Sequence, residues 1–232
     1  MARYQPPQQP PPVQKIRLKY TKTGSTRFAS HRDISRVLER ALRRANIPMA
    51  FSSGFHPHAR ISYAGAAPTG VESLAEYVEI SLAERCSPSK VCRALDEQMP
   101  DGIRIVDACE ATGGKLPHLL QASRWRIDFP CENEKIEQLV SRFNQSSTLE
   151  VKRMTKKGER VFDVKPSVIA CRCVDHSVIV DLRHLEPLVR PDDIMTAFSI
   201  LDPNIRLEQM KAIRLAQGME LNDGIGDPLL SS

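Results

Sequence analysis

The order in which hydrophobic periodicity changes along residues 15–106 most constrains how this chain can fold. Residues 15–22 alternate, with Ile16, Leu18 and Tyr20 on one side and Arg17 and Lys19 on the other, which is the period of a strand. Apolar residues then fall at Ile34, Val37, Leu38, Ala41, Leu42 and Ala45, the spacing of one helix face. Ser30, with Asp33 three residues on, supplies a capping box, and Pro48 ends the helix. Strands follow at residues 61–64 and 75–83. Ser87 and Pro88 open a second helix whose apolar face is Val91, Leu95 and Met99. Pro100, Asp101 and Gly102 stop it, and residues 103–106 make a fourth strand.

The order βαββαβ is that of the ferredoxin-like split βαβ unit. The second half repeats it in outline. A strand at 125–129 precedes a helix at 133–143 with Ile136, Leu139, Val140 and Phe143 on one face. Extended pieces at 149–152 and 161–164 come next, then a hairpin of 168–173 and 177–182 around Asp175 and His176. A helix over 191–201, with Pro191 in its first position, leads to a last strand at 205–215. The expected class is α+β: two tandem ferredoxin-like (βαββαβ) units, the second with an extra β-hairpin. The expected organisation is a disordered Pro/Gln tail (1–14), a first unit (15–107), a linker (108–122), a second unit (123–216) and a tail (217–232).

No apolar run approaches the ~20 residues of a membrane span. The opening MARYQPPQQPPP has no signal-peptide pattern, so a cytoplasmic protein with no membrane partner is expected. The six cysteines include no CxxC pair and read as structural thiols, with no cofactor expected in this chain. The net charge of +5 hides an asymmetry: residues 1–60 carry +10 and the remainder −5. A positive field so concentrated points to a polyanion, nucleic acid above all, or to an acidic protein face.

The charge gathers beside one helix and one loop. Arg32, Arg36, Arg40, Arg43 and Arg44 lie opposite the apolar face of the first helix. Directly after it comes the loop Ser52, Ser53, Gly54, Phe55, His56, Pro57, His58, with Arg60 behind. His31 and Arg32 open the helix, where unpartnered amides favour phosphate. Gly54 suits a positive-φ turn, stiffened by Pro57. His56 and His58 are two imidazoles without a third ligand, so no metal site is expected. Phe55 reads as a core plug in preference to a stacking platform. Glu72 and Glu76 around Ser73 read as a polar turn rim, Trp125 and Phe129 as core, and Lys156, Lys157 and Gly158 as a basic hairpin tip. No Walker loop, GxGxxG, HExxH or GxSxG occurs, and no residue is assigned a catalytic role. The candidate nucleic-acid or partner-binding set is His31, Arg32, Arg36, Arg40, Arg43, Arg44, Ser52, Ser53, Gly54, Phe55, His56, His58 and Arg60.

A succession of motifs carries a family resemblance. It comprises Lys22-Thr23-Gly24, Arg27-Phe28-Ala29-Ser30-His31-Arg32-Asp33, Arg43-Arg44-Ala45-Asn46-Ile47-Pro48, Ser52-Ser53-Gly54-Phe55-His56-Pro57-His58 and Pro68-Thr69-Gly70-Val71-Glu72-Ser73 with Glu76-Tyr77. Lys157-Gly158 and Asp163-Val164-Lys165-Pro166 continue it. This resembles the radical-SAM-linked protein family, a domain of unknown function. The resemblance implies a place beside a radical SAM protein with a cobalamin-type domain. The chain lacks the three-cysteine cluster motif of radical SAM chemistry, so it would be the accessory partner. At fold level the paired βαββαβ units also resemble the RAMP-type CRISPR RNA endoribonucleases. Three readings follow. The first is a non-catalytic accessory protein holding structured RNA (tRNA or rRNA) for the radical SAM enzyme. The second is a docking module for that enzyme without RNA contact. The third is a metal-independent endoribonuclease using His31 or His56.

Overall fold

The computed structural model describes residues 8–156, 158–222 and 224–230. They form two compact units, one running up to Leu119 and joined by the segment from Asp227, the other Leu120–Gly226. No helix among the described residues is long and apolar enough to cross a membrane.

The first unit runs β1 (Gln14–Lys22), α1 (His31–Arg44), β2 (Ile61–Ala64), β3 (Glu72–Leu82), α2 (Pro88–Asp96), β4 (Ile103–Glu110) and the short helix α3 (Leu116–Leu119). Its strands lie in the order β4-β1-β3-β2, every neighbour antiparallel. The predicted capping box of α1 is formed: the Asp33 amide donates to Ser30 Oγ and the Ser30 amide to Asp33 Oδ2. Ile34, Leu38, Ala41 and Leu42 of α1 and Val91 and Leu95 of α2 close over Ile16, Leu18, Val78 and Ile80. The helix periodicity thus meets the alternation of β1 and β3 in one core. Gly102 (φ +87°) turns the chain from α2 into β4. A Cβ there would meet the Thr23 carbonyl oxygen at 2.6 Å, so only glycine fits.

The other face of the sheet departs from expectation. Arg17 and Lys19 were expected to point outward, yet Arg17 is 1% exposed. Its guanidinium donates to Glu79 and to the carbonyls of Pro228 and Gly114, while Lys19 pairs with Asp227 at 2.6 Å. The Tyr77 hydroxyl donates to Asp227 as well. Chain segments distant in sequence cover this face, and alternation along one strand carries no trace of them.

The second unit runs β5 (Ala122–Asp128), α4 (Asn133–Gln145), β6 (Glu150–Thr155), β7 (Gly158–Asp163), β8 (Val168–Val174), β9 (Ser177–Arg183), α5 (Pro191–Leu201), β10 (Lys211–Leu221) and β11 (Gly224–Gly226). The order β10-β5-β9-β8 is again antiparallel throughout. Among the described residues β6 and β7 form a two-stranded sheet of their own, and they come between α4 and β8 in sequence. Trp125 and Phe129 are core, as predicted, and Phe143 stacks on Phe198 at 4.9 Å. The β8–β9 hairpin turns at Asp175 and His176, both at positive φ.

Both units are therefore α+β with antiparallel sheets. The expected linker over 108–122 instead holds the end of β4, the helix α3 and the first residue of β5, because Asp107, Ala108, Cys109 and Glu110 pair with β1. The expected tail over 217–232 contains the end of β10, all of β11 and the Asp227 segment. The strand expected at 205–215 starts later, since Leu207–Gln209 forms a 3-10 turn. Residues 1–7 of the expected N-terminal tail and Lys157 of the expected hairpin tip lie outside the described residues. Gln9 of that tail donates its amide to Ser53 Oγ.

Candidate nucleic-acid interface

Helix α1 has 14 residues and so a length of ~21 Å. Arg32, Arg36, Arg40, Arg43 and Arg44 are all exposed and fall within a sector of about 120°, opposite the buried Ile34, Leu38 and Ala41. None of the five enters a side-chain ion pair among the described residues. Arg44 donates instead to the Gln98 carbonyl at 2.7 Å, which fastens the helix end to the turn after α2. Arg43 and Arg44 suit the negative end of the helix dipole. Arg32 does not: it sits in the first turn, where a cation opposes the dipole, so helix stability gives no reason for it.

The other cations of the first sixty residues are tied down. Lys15 and Arg17 meet Glu79 at 3.4 and 3.3 Å, Lys19 meets Asp227, and Arg27 meets Glu72 at 3.4 Å. Lys22, buried, donates to the carbonyls of Ala67 and Pro68. Arg3 lies outside the described residues. Much of the positive charge counted from sequence is thus tied down, and the α1 arginines stay exposed.

The loop is held closed at its neck. The Ser52 amide donates to the His58 carbonyl and the His58 amide to Ser52 Oγ. Phe51 and Ala59 bridge behind them, and Arg60 Nε donates to the Phe51 carbonyl at 3.1 Å. Gly54 turns the tip at φ +132°. Phe55 is not the expected plug: it stands 70% exposed, since the core beneath is already filled from α1 and β3. His56 and His58 are exposed too. A cleft of about 80 Å³ separates loop from helix, lined by Glu39, Arg43, Met49, Phe51, Pro57 and His58. It brings Arg43 and His58 together.

His31 stands apart from this cleft. Its ring meets Tyr63 edge-on at 4.9 Å. Burial pushes the Tyr63 hydroxyl up to about 12. The helix N-terminus expected to welcome phosphate already holds a carboxylate. Hydrogen bonds from Ser30 keep Asp33 below its ordinary value and so charged. Of the polar turn rim expected at Glu72 and Glu76, Glu72 accepts from the Gly24 amide, whereas Glu76 is buried (2% exposed) and accepts from the Ala67 amide. Among the described residues no group of three His, Cys, Asp or Glu side chains stands close enough to hold a metal ion. Phe28 (61% exposed, with Arg27 over its ring) and Phe51 (41%) were missed as site residues. An aromatic set among polar neighbours was the available signal.

A family described as "Uncharacterized protein conserved in bacteria (DUF2344)" matches residues 15–191. The chain belongs to this family. Every candidate binding residue falls inside the matched stretch, while β10 and β11 lie beyond it. Among solved structures, an unknown protein from Galdieria sulphuraria is similar at 12% identity, with 86% of this chain and 95% of that one covered and a TM-score of 0.27. A putative dyp-type peroxidase from Shewanella oneidensis is similar at 8% identity, with 93% and 95% covered and a TM-score of 0.25. No curated protein matches.

Proposed function

We propose that this DUF2344 member is a non-catalytic accessory protein that binds structured RNA, a tRNA or rRNA, for a partner radical SAM enzyme. The observation that carries the RNA reading is the set of five exposed α1 arginines that enter no side-chain ion pair among the described residues, while Lys15, Arg17, Lys19 and Arg27 of the same unit are paired with carboxylates. Guanidinium groups so arranged fit a phosphate backbone. The exposed Phe55 and His56 beside them suit an unpaired base. The strand order fourth-first-third-second, found in each unit, supports two ferredoxin-like units with β6–β7 as the added hairpin. The likeness of the first-half motifs to the radical-SAM-linked family supports the partner, one with a cobalamin-type domain.

The test is RNA binding at two salt concentrations in EDTA, wild type against Arg36/Arg40/Arg44→Glu, with the RNA run on a gel afterwards. Tight, salt-steep binding lost in the variant, with intact RNA, supports the proposal. Cleaved RNA replaces it with the endoribonuclease reading. No binding leaves docking on an acidic face of the enzyme.

A further inference from the structure

We infer that the cleft between α1 and the loop receives one unpaired guanine of the bound RNA, an inference that rests on the RNA reading above. Glu39 carries it. This residue is exposed on the arginine side of α1, three residues after Arg36 and four before Arg43, spacings at which helix side chains meet. It nevertheless forms no ion pair with either among the described residues. It lines the cleft instead, with Arg43 beside it and His58 across from it. A cleft built for phosphate would not keep a carboxylate in its wall, because two anions repel. A neutral group that offers hydrogen-bond donors is the fitting occupant.

Among the bases, guanine sets two donors side by side on its Watson–Crick edge, N1–H and the N2 amine. A carboxylate accepts both at once. Its O6 and N7 are the acceptors that arginine prefers. Glu39 and Arg43 together therefore match guanine, and adenine offers the carboxylate only its single amine. Phe51, Pro57 and Met49 give the cleft apolar walls against which a base can stack. The walls are set before binding, through the Ser52–His58 clip and the bond from Arg60 to the Phe51 carbonyl. The arginines on either side along α1 then hold the flanking phosphates of a base turned out of its helix.

The probes are labelled RNA hairpins that differ in one bulged nucleotide, G, A, C or U, with a fully paired control, each titrated at two salt concentrations. The bulged-G hairpin is expected to bind wild type at least about tenfold tighter than the bulged-A hairpin. Glu39→Gln should lose that preference while binding the paired control as tightly as wild type or tighter, since a negative charge has left the arginine face. Phe51→Ala should weaken the bulged hairpins and spare the control. A Glu39→Gln variant that gains affinity for all five RNAs alike overturns the inference, and so does wild-type binding with no base preference. In both cases salt-steep binding would leave the RNA reading standing. Failure of every hairpin to bind removes both together.

Discussion

The arginines of α1 and those of the β5–β8–β9 face make an instructive pair. In the second unit Arg124 lies across Asp181 with two hydrogen bonds of 2.7 and 2.8 Å, and Arg172 approaches the same carboxylate at 3.6 Å. Arg126 is 3.0 Å from Asp128, and Arg183 grips Glu220. Hydrogen bonding to Asp181 holds Arg124 above its usual value, and Arg183 holds the Glu220 carboxyl below its own. Each of these guanidinium groups has a carboxylate within 4 Å in its own sheet. On α1 the same side chain recurs five times with no side-chain ion pair among the described residues. Arginine count alone would rank the two regions together. Partner geometry separates them: the sheet set is paired with carboxylates, whereas the helix set stays open for the binding role proposed above.

The largest expected effect is on RNA affinity. Arg36/Arg40/Arg44→Glu should weaken binding at least about 100-fold and flatten the salt dependence by about two to three phosphate contacts, read by titration at several ionic strengths. Arg172→Glu, made in the sheet set, should leave affinity within about twofold, and an equal loss there would break the comparison. Next comes stability of the sheet set. Asp181→Ala strands Arg124 and Arg172 and should cost about 2–3 kcal/mol in denaturant unfolding, without touching RNA binding. A smaller change is expected from Ser30→Ala, which opens the α1 capping box. It should cost about 1 kcal/mol and reduce affinity only slightly, because the arginines keep their helix.

The smallest effect concerns pH. His184 Nδ1 meets the Leu120 carbonyl at 2.7 Å and Nε2 meets Ser123 Oγ at 3.0 Å. Burial holds its imidazole below the ordinary value. The folded unit therefore favours neutral His184, and the unfolded chain takes up its proton first as pH falls. Thermal stability of the protein should drop from pH 7 to pH 5, less so in His184→Asn.

What the sequence revealed was local. The capping box of α1, the Val91–Leu95 face of α2 and the β8–β9 turn at Asp175 and His176 were legible because period, cap and turn chemistry act within a few residues. What escaped it was long-range. Burial of Arg17 depends on Pro228, more than two hundred residues away. β4 outran its apolar stretch because Asp107, Ala108, Cys109 and Glu110 gain strand partners in β1, which their own polarity does not announce. The candidate site shows the same division. The arginine face followed from helix spacing, whereas the exposure of Phe55 and the meeting of Glu39, Arg43 and His58 depend on how the loop folds back.

The return of Asp227 to the first unit sets a timetable for biogenesis. Chains usually finish their N-terminal unit while the ribosome is still making the rest. Here Lys19, Tyr77 and Arg17 wait for Asp227 and Pro228, which are translated after the whole of the second unit. A nascent chain that stalls in β10 would carry a complete α1 with its arginines outward, over a sheet whose buried guanidinium still lacks its last carbonyl. The first unit to emerge is thus the last to be completed.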